Sequence, residues 1–590
     1  MEHTLLMAAR CFILILALSG CAPEESEPIP PPPNILIVLT DDQGWGDLGI
    51  NGNSNIRTPN LDSLAISGAR FEQFYVQPVC SPTRAEILTG RYAAALGVYS
   101  TSAGGERMDP GVPTLGDVFR DAGYRTGLFG KWHNGSQPPY HPNFRGFDEF
   151  YGFASGHWAH YFSPELEHNG KFVRGEGYLA DDLTARAIQF MGAPDPRPFL
   201  AVLSHNTPHS PMQVPDPYWD ALQNRPLEMR HREPQLEDTL FTRAALAMVE
   251  NIDANVGQVV EFLEKSGTRR ETIVVFLSDN GPNSFRWNGG MKGRKGSTDE
   301  GGVRSPLLIS WPGSIPAGLR VRSLGGSVDL LPTLVGLSGI QETRSSWDGQ
   351  DLSAAVLGKP NFQRDGYLYN YWNGALSLRS RDFRLDAENR LFDMRRDPGQ
   401  TTDVSGEHPQ AYDSLVEAKA AWLTSEVPKD FPERPFTVGY PGAGRTVLPA
   451  RDATVLPPLR RSNKYPNASY ITGWENEAGL VYWPVEVLSD GTYEISCYYA
   501  CPETAIGLPV RIASGGDMTG TQIRSAFDSE IYGAEQDRVP RIESYARDFR
   551  KLPLGRLELR QGTDTLRLRA GPFPDRARWD VQRLVLEKID

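Results

Sequence analysis

Two pairs of polar residues, Asp41-Asp42 and Asp279-Asn280, each follow an apolar run directly. Carboxylate and amide oxygens are hard ligands, suited to Ca²⁺ or Mg²⁺ rather than zinc. A cage of protein oxygens with three carboxylates favours Ca²⁺ over the more reluctantly dehydrated Mg²⁺. Between the pairs lies Cys80-Ser81-Pro82-Thr83-Arg84, a C-x-P-x-R run with a Thr89-Gly90-Arg91 tail. Proline favours the first turn of a helix, so the pattern predicts a helix over 82–89 with residue 80 at its N-terminus. That end has unpaired N–H groups and partial positive charge, a place to hold a nucleophile against an oxyanion. Arg84, Lys131, His133, His209 and Lys295 add cationic and proton-carrying groups. Lys295 falls in the Gly289–Gly296 loop, where glycines allow close approach of backbone to a ligand. His205, His157 and His160 read as structural, and Lys292 and Arg294 as solvated loop charges.

The elements that must position these residues are legible from patterning. Asn34–Thr40, Arg125–Gly130, Phe199–Ser204 and Thr272–Ser278 read as strands, the apolar runs among them as strands buried on both faces. They run into Asp41-Asp42, Lys131-Trp132-His133, His205 with His209, and Asp279-Asn280. Thr58-Pro59 opens a helix and Pro113–Ala122 another, while Val249, Ile252, Val256, Val260 and Leu263 mark a long amphipathic one. Alternation of this kind predicts an α/β fold with a mostly parallel central sheet. In such sheets ligands bind beyond the carboxyl ends of the strands, so all four clusters fall on one edge.

A chain of 590 residues exceeds one core and suggests two or three domains. Its net charge of -13 argues against nucleic acid or an anionic membrane as partner. An anion site here needs a local positive cluster against that field, which the cations named above provide. Cys497 and Cys501, in a strand-like run, have α-carbons about 13 Å apart, too far for a disulfide, and read as buried thiols. Residues 10–21 form a short apolar stretch ending Leu18-Ser19-Gly20-Cys21. It is too short to span a bilayer and reads as a signal peptide with a bacterial lipobox, Cys21 being the lipidated residue. Export to the outer membrane, periplasmic or at the surface, is the expected location.

The expected organisation is a lipoprotein signal peptide over 1–21, a Pro-rich tether over 22–33 and a catalytic α/β domain over 34–355. A small α+β subdomain follows at 356–430, a connector at 431–470, and an antiparallel β-sandwich at 471–590.

With these residues assembled, the chain resembles the formylglycine-dependent (type I) sulfatases of the alkaline-phosphatase-like superfamily, over roughly residues 34–425. The matching pieces are Pro33-Asn34 through Asp42, the Cys80–Arg91 signature, Gly130–His133, Thr207-Pro208-His209, Ser278–Gly281, and Lys295-Gly296 with Glu300–Arg304. Asn134 departs where many relatives read leucine, and Ala94-Ala95 where histidine and arginine are frequent. The resemblance implies that Cys80 becomes formylglycine (3-oxoalanine) through a formylglycine-generating enzyme and acts as a hydrate. It also implies that Asp41, Asp42, Asp279 and Asn280, with residue 80, hold Ca²⁺, and that Lys131, His209 and Lys295 neutralise the sulfate. His209 is then the proton donor to the leaving alcohol, His133 the base that releases sulfate, Asp279 the base for attack, and Arg84 the support of residue 80.

The implied substrate is a sulfated carbohydrate, fitting a bacterium that degrades external polysaccharide. The Tyr151–Phe162 segment is aromatic and reads equally as a sugar platform or as packing under a lid. Trp474, Tyr482, Trp483 and Trp579 are candidates for glycan binding, against the alternative that they fill a sandwich core. A phosphodiesterase or phosphonate monoester hydrolase of the same superfamily, and a non-catalytic glycan-binding lipoprotein, are the competing readings.

Overall fold

Four apolar runs become adjacent strands: β1 (Asn34–Thr40), β2 (Arg125–Lys131), β3 (Phe199–Ser204) and β4 (Thr272–Ser278). The computed structural model describes residues 31–590 apart from 343–345, 467, 574–576 and 590. The signal-peptide segment with Cys21, and all of the tether before residue 31, lie outside the described residues. Residues 33–590 form one compact unit.

Pairing is parallel from Glu149–Phe153 through β2, β3, β1 and β4. The mixed sheet continues antiparallel into Leu307–Ser310 on one side and Glu165–His168 on the other. Every residue of β2, β3 and β4 is buried, which explains why these strands read as runs rather than alternations. Helices cover both faces. The longest, Thr239–Lys265, starts at Asp238, whose carboxylate accepts from the backbone N–H of Leu240 and Phe241.

Register sets the site. Thr40 pairs with Ser278 and Gly130 with Ser204, so the polar residues that follow emerge level with one another. At Gly130, with φ of 119°, a β-carbon would stand 1.9 Å from the Ser204 carbonyl oxygen. Only glycine lets β2 approach β3 this closely just before Lys131.

A four-stranded antiparallel sheet between Leu368 and Asp393 follows, packed by the helix Pro409–Glu426. Beyond it, two sheets face one another around Trp474, Trp483 and Trp579, each 1% exposed or less. Those three indoles are therefore core and are removed from the glycan-binding candidates. Residues 431–470, expected as a connector, supply strands to both sheets. Phe436–Val438 and Thr454–Leu456 join Leu480–Val487, and Arg445–Pro449 joins Asp580–Lys588. These strands are three to five residues long, too short to show a period among prolines and glycines. Cys497 and Cys501 are buried free thiols. Among the described residues, no helix is long and apolar enough to cross a membrane.

Candidate active site

Cys80 is the first residue of the helix α1 (Cys80–Thr89), which starts two residues earlier than Pro82 suggested and is buried along its whole length. Its side chain thus sits among the unpaired N–H groups of that end. Burial pushes the thiol up to about 11, although Lys131 and Lys295 oppose the shift. As encoded, residue 80 is protonated at neutral pH and is a poor nucleophile.

The strand ends converge on it. Cys80 Sγ and carboxylate oxygens of Asp41 and Asp279 all lie within 4.8 Å of one another, and so do ligand atoms of Asp41, Asp42 and His209. Lys131 Nζ is 2.6 Å from Asp41 Oδ2, with both side chains fully buried. Lys295 Nζ is 2.6 Å from Asp42 Oδ1, and Asn280 Nδ2 donates to the same oxygen at 2.7 Å. Arg84 donates to Asp279 Oδ2 through Nε at 3.0 Å and Nη2 at 2.8 Å. Its Nη1 reaches the Lys131 carbonyl at 3.0 Å and Ser204 Oγ at 2.6 Å. One guanidinium therefore ties α1 to the ends of β2, β3 and β4.

Burial would raise the Asp42 carboxyl, yet Lys295 and then His209 hold it far below the usual range. Asp279 goes the other way, to about 6, because burial and Asp41 outweigh Arg84 and Lys131. Burial and Lys295 push His209 down to about 4, against Asp42. Its Nδ1 donates to the Ser210 carbonyl at 2.7 Å, which leaves Nε2 facing Asp42 Oδ2 at 3.7 Å. His133 Nε2 donates to the Thr101 carbonyl at 2.8 Å, leaving Nδ1 as a buried lone pair without a partner. Burial first, then Lys131, hold this imidazole neutral well below its ordinary range, as a base requires. Asp42 (φ 67°) and His133 (φ 74°) are non-glycine residues in the left-handed region, a strain that gathers where geometry serves function.

Asp41 Oδ1, Asp42 Oδ2 and Asn280 Oδ1 are buried and unpartnered. Buried oxygens of this kind are costly without a partner, and three of them from the proposed ligand set fit a hard cation. Asp41, Asp42 and Asp279 balance Arg84, Lys131 and Lys295 in charge. A divalent ion makes the site net positive, which answers the acidic balance of the chain as a whole.

These contacts join Asp41, Asp42, Cys80, Arg84, Lys131, His209, Asp279, Asn280 and Lys295, while His133 lies two residues beyond Lys131 and bonds to Thr101. Four further residues belong to this cluster, and of these the sequence singles out only Asn134, as a departure from the family pattern. Ser204 reads from the sequence only as the last residue of β3, yet its hydroxyl accepts from Arg84. His205 is buried, with both ring nitrogens unpartnered and burial taking it to about 3. Asn134 donates to Ser81 O and Glu106 O, both at 3.2 Å, fastening α1 to the end of β2. That gives the departure at this position a local purpose. Arg286 pairs with Asp47 at 2.6 Å and donates to the Asp42 carbonyl at 2.9 Å, bracing the strained turn. Gln43, next to the aspartate pair, is buried with both amide atoms unpartnered, a polar residue whose position was the available signal.

The fold is that of the alkaline-phosphatase-like class, and this arrangement places a buried cluster of oxygen atoms beside Cys80. The sulfatase family model matches residues 33–340, and the chain belongs to that family of sulfuric ester hydrolases. It is 32% identical to the N-acetylgalactosamine-6-sulfatase of Mus musculus over 399 residues, covering 61% of this chain and 73% of the relative. Against the arylsulfatase A of Bos taurus it is 36% identical over 364 residues, 55% of this chain and 68% of the relative. Crystal structures of Ps i-CgsB, alone and with k-i-k-neocarrahexaose, superpose with TM-scores of 0.62 and 0.60 at 31% identity. They cover 68% of this chain and 94% and 95% of theirs.

Proposed function

We propose that this sulfatase removes sulfate from a sulfated oligosaccharide or polysaccharide, using Cys80 converted to formylglycine by a formylglycine-generating enzyme. The observation that carries the reading is the set of unpartnered, buried oxygens on Asp41, Asp42 and Asn280, with Asp41 within 4.8 Å of a residue 80 too protonated to attack as a thiol. Formylglycine supplies, as its hydrate, one hydroxyl that attacks sulfur and a second whose deprotonation expels sulfate. Asp41, Asp42, Asp279 and Asn280, with residue 80, would hold Ca²⁺ in preference to Mg²⁺. The ion supplies Lewis-acid stabilisation of charge on a sulfate oxygen.

The remaining work falls to the chain. Asp279, oriented by Arg84, takes the proton of the attacking hydroxyl. Lys131 and Lys295 offset the negative charge of the ester. His209 presents Nε2 to the departing alcohol, and the ester's own negative charge supports the imidazolium that Lys295 opposes. His133 Nδ1 accepts the proton of the second hydroxyl. A carbohydrate substrate is supported by the relatives, one named for N-acetylgalactosamine 6-sulfate and one solved with a neocarrahexaose. We take residues 34–355 and 356–430 as the catalytic portion and the later sheets as an appended module. We also take Leu18–Cys21 as a lipid-anchoring export signal.

The test is turnover of defined sulfated oligosaccharides by protein made alongside a formylglycine-generating enzyme, with mass spectrometry of the Cys80 peptide. Phosphate and phosphonate esters run in parallel. Fully converted protein that hydrolyses these faster than every sulfate ester overturns the reading. Replacement of Cys21 by alanine, with mass spectrometry for a lipid on that peptide, tests the anchor.

A further inference from the structure

The appended module does not stand apart from the catalytic portion. Its segment 531–549, which joins the strands Asp517–Gln522 and Arg550–Leu559, reaches across to the loops beside the candidate active site. Val539 enters the hydrophobic core of the α/β portion. Gln213 donates to the Gly533 carbonyl at 2.7 Å, and Arg541 to the Ala159 carbonyl at 2.5 Å. Ser210, next to His209, donates to Glu543.

Between that segment and the loop after Phe153 lies a cleft of ≈ 430 Å³, within the range of small-molecule sites. One wall is Ala154, Ser155 and Trp158, with Trp158 stacked on Phe153 at 5.2 Å. The same loop presents His157 to the active site, where it stacks on His209 at 5.7 Å. The loop thus has one side on the reacting centre and the other on the cleft. The facing wall comes from the module: Tyr470, Tyr532, Tyr545, Phe549 and Arg547. Arg451 also lines it. Tyr470 and Phe549 lie 5.4 Å apart, and Tyr532 meets His160 edge-on at 5.3 Å. Tyr545 is 36% exposed.

Aromatic faces accept the C–H surfaces of pyranose rings. We propose that this cleft is a sugar subsite built jointly by the two portions of the chain. It holds a sugar next to the one that loses its sulfate. The proposal rests on the sulfated-carbohydrate reading above. It makes the enzyme selective for chains over small sulfated sugars, and it assigns that selectivity to the module.

The test compares carrageenan and chondroitin sulfate oligosaccharides of two and six sugars. The wild type is expected to show kcat/KM at least about tenfold higher for six sugars than for two on the series it accepts. In Tyr545→Ala and in Tyr470→Ala that ratio collapses toward one. Because both lengths are read on one preparation, a loss of folded protein cancels in the ratio. A wild-type ratio near one, or an undiminished ratio in both variants, overturns the subsite. Absence of any turnover with formylglycine present at residue 80 overturns the function instead. Calorimetric binding of the same oligosaccharides then still decides the subsite by the same ratio.

Discussion

Glu86 lies on α1, six residues beyond Cys80, and is 1% exposed. Its carboxyl takes hydrogen bonds from neutral groups: Gln77 Nε2 at 2.7 Å, the Ala93 N–H at 3.2 Å and the Ser327 hydroxyl. Burial pushes it up to about 8 from an ordinary 4.5, with those hydrogen bonds opposing. Between these values the native protein holds a proton that the unfolded chain has released. Stability contributed by this group is therefore complete below about pH 4.5 and is lost as pH rises toward about 8. The gap of about 3.5 pH units, at 1.36 kcal/mol each, amounts to about 5 kcal/mol. Glu86→Gln keeps the shape and the acceptor for Gln77 and Ala93, and the rotatable Ser327 hydroxyl can accept from the new amide. The variant should gain on the wild type by about 2 kcal/mol between about pH 5.5 and about pH 7, and by about 1 kcal/mol more by about pH 8. Urea unfolding of both proteins in parallel, taken as the difference at each pH, isolates the effect from other titrating groups. A difference that stays flat across this range would falsify the claim that Glu86 is buried as the neutral acid.

The other predictions concern the site and the module. Cys80→Ala should abolish turnover, and Cys80→Ser should leave slow or stoichiometric reaction at most; multiple turnover by the alanine variant contradicts the assigned nucleophile. Chelator-stripped protein should lose activity and recover it with Ca²⁺ better than with Mg²⁺. Metal content by mass spectrometry should fall in Asp42→Asn, and undiminished content there would remove Asp42 from the ligand set. Arg84→Ala leaves Asp279 without its buried partner, so about 3–5 kcal/mol of stability should go together with activity. A fully active, equally stable variant would refute the bracing role. Trp483→Ala should cost about 3–5 kcal/mol in the unfolding of the module, a value near zero being incompatible with a core indole.

The strands that place the ligands were readable because burial on both faces writes an uninterrupted apolar run, as in Thr272–Ser278. Their ends carried the chemistry, so the site followed from a rule about sheet edges without any contact being known. What could not be read depends on which segments meet. Lys131 and Lys295 were recognisable as positive charge, but the pairing of Lys131 with Asp41 depends on the register of β2 and β1 on either side of β3, and that of Lys295 with Asp42 on the return of a loop. Ser204 looks like any last residue of a strand until Arg84 arrives from α1. The helix starts ahead of its expected place because Pro82 is tolerated in the first turn, two positions later than its commonest place. Tyr532 and Tyr545 sit in a stretch with little regular structure, and nothing local announces that it crosses to another part of the molecule.

If Cys80 is converted to formylglycine as proposed, the burial of α1 imposes an order on the life of the protein. Cys80 is 3% exposed, and all ten residues of its helix are enclosed. An enzyme that oxidises this thiol must bring its own reactive centre to the sulfur, together with a grip on the neighbouring residues. Once β1 to β4 have closed around the helix, that approach is shut. Conversion and folding therefore compete for the same newly made chain. On that proposal, a molecule that folds first would stay a thiol, intact in structure and without its nucleophile.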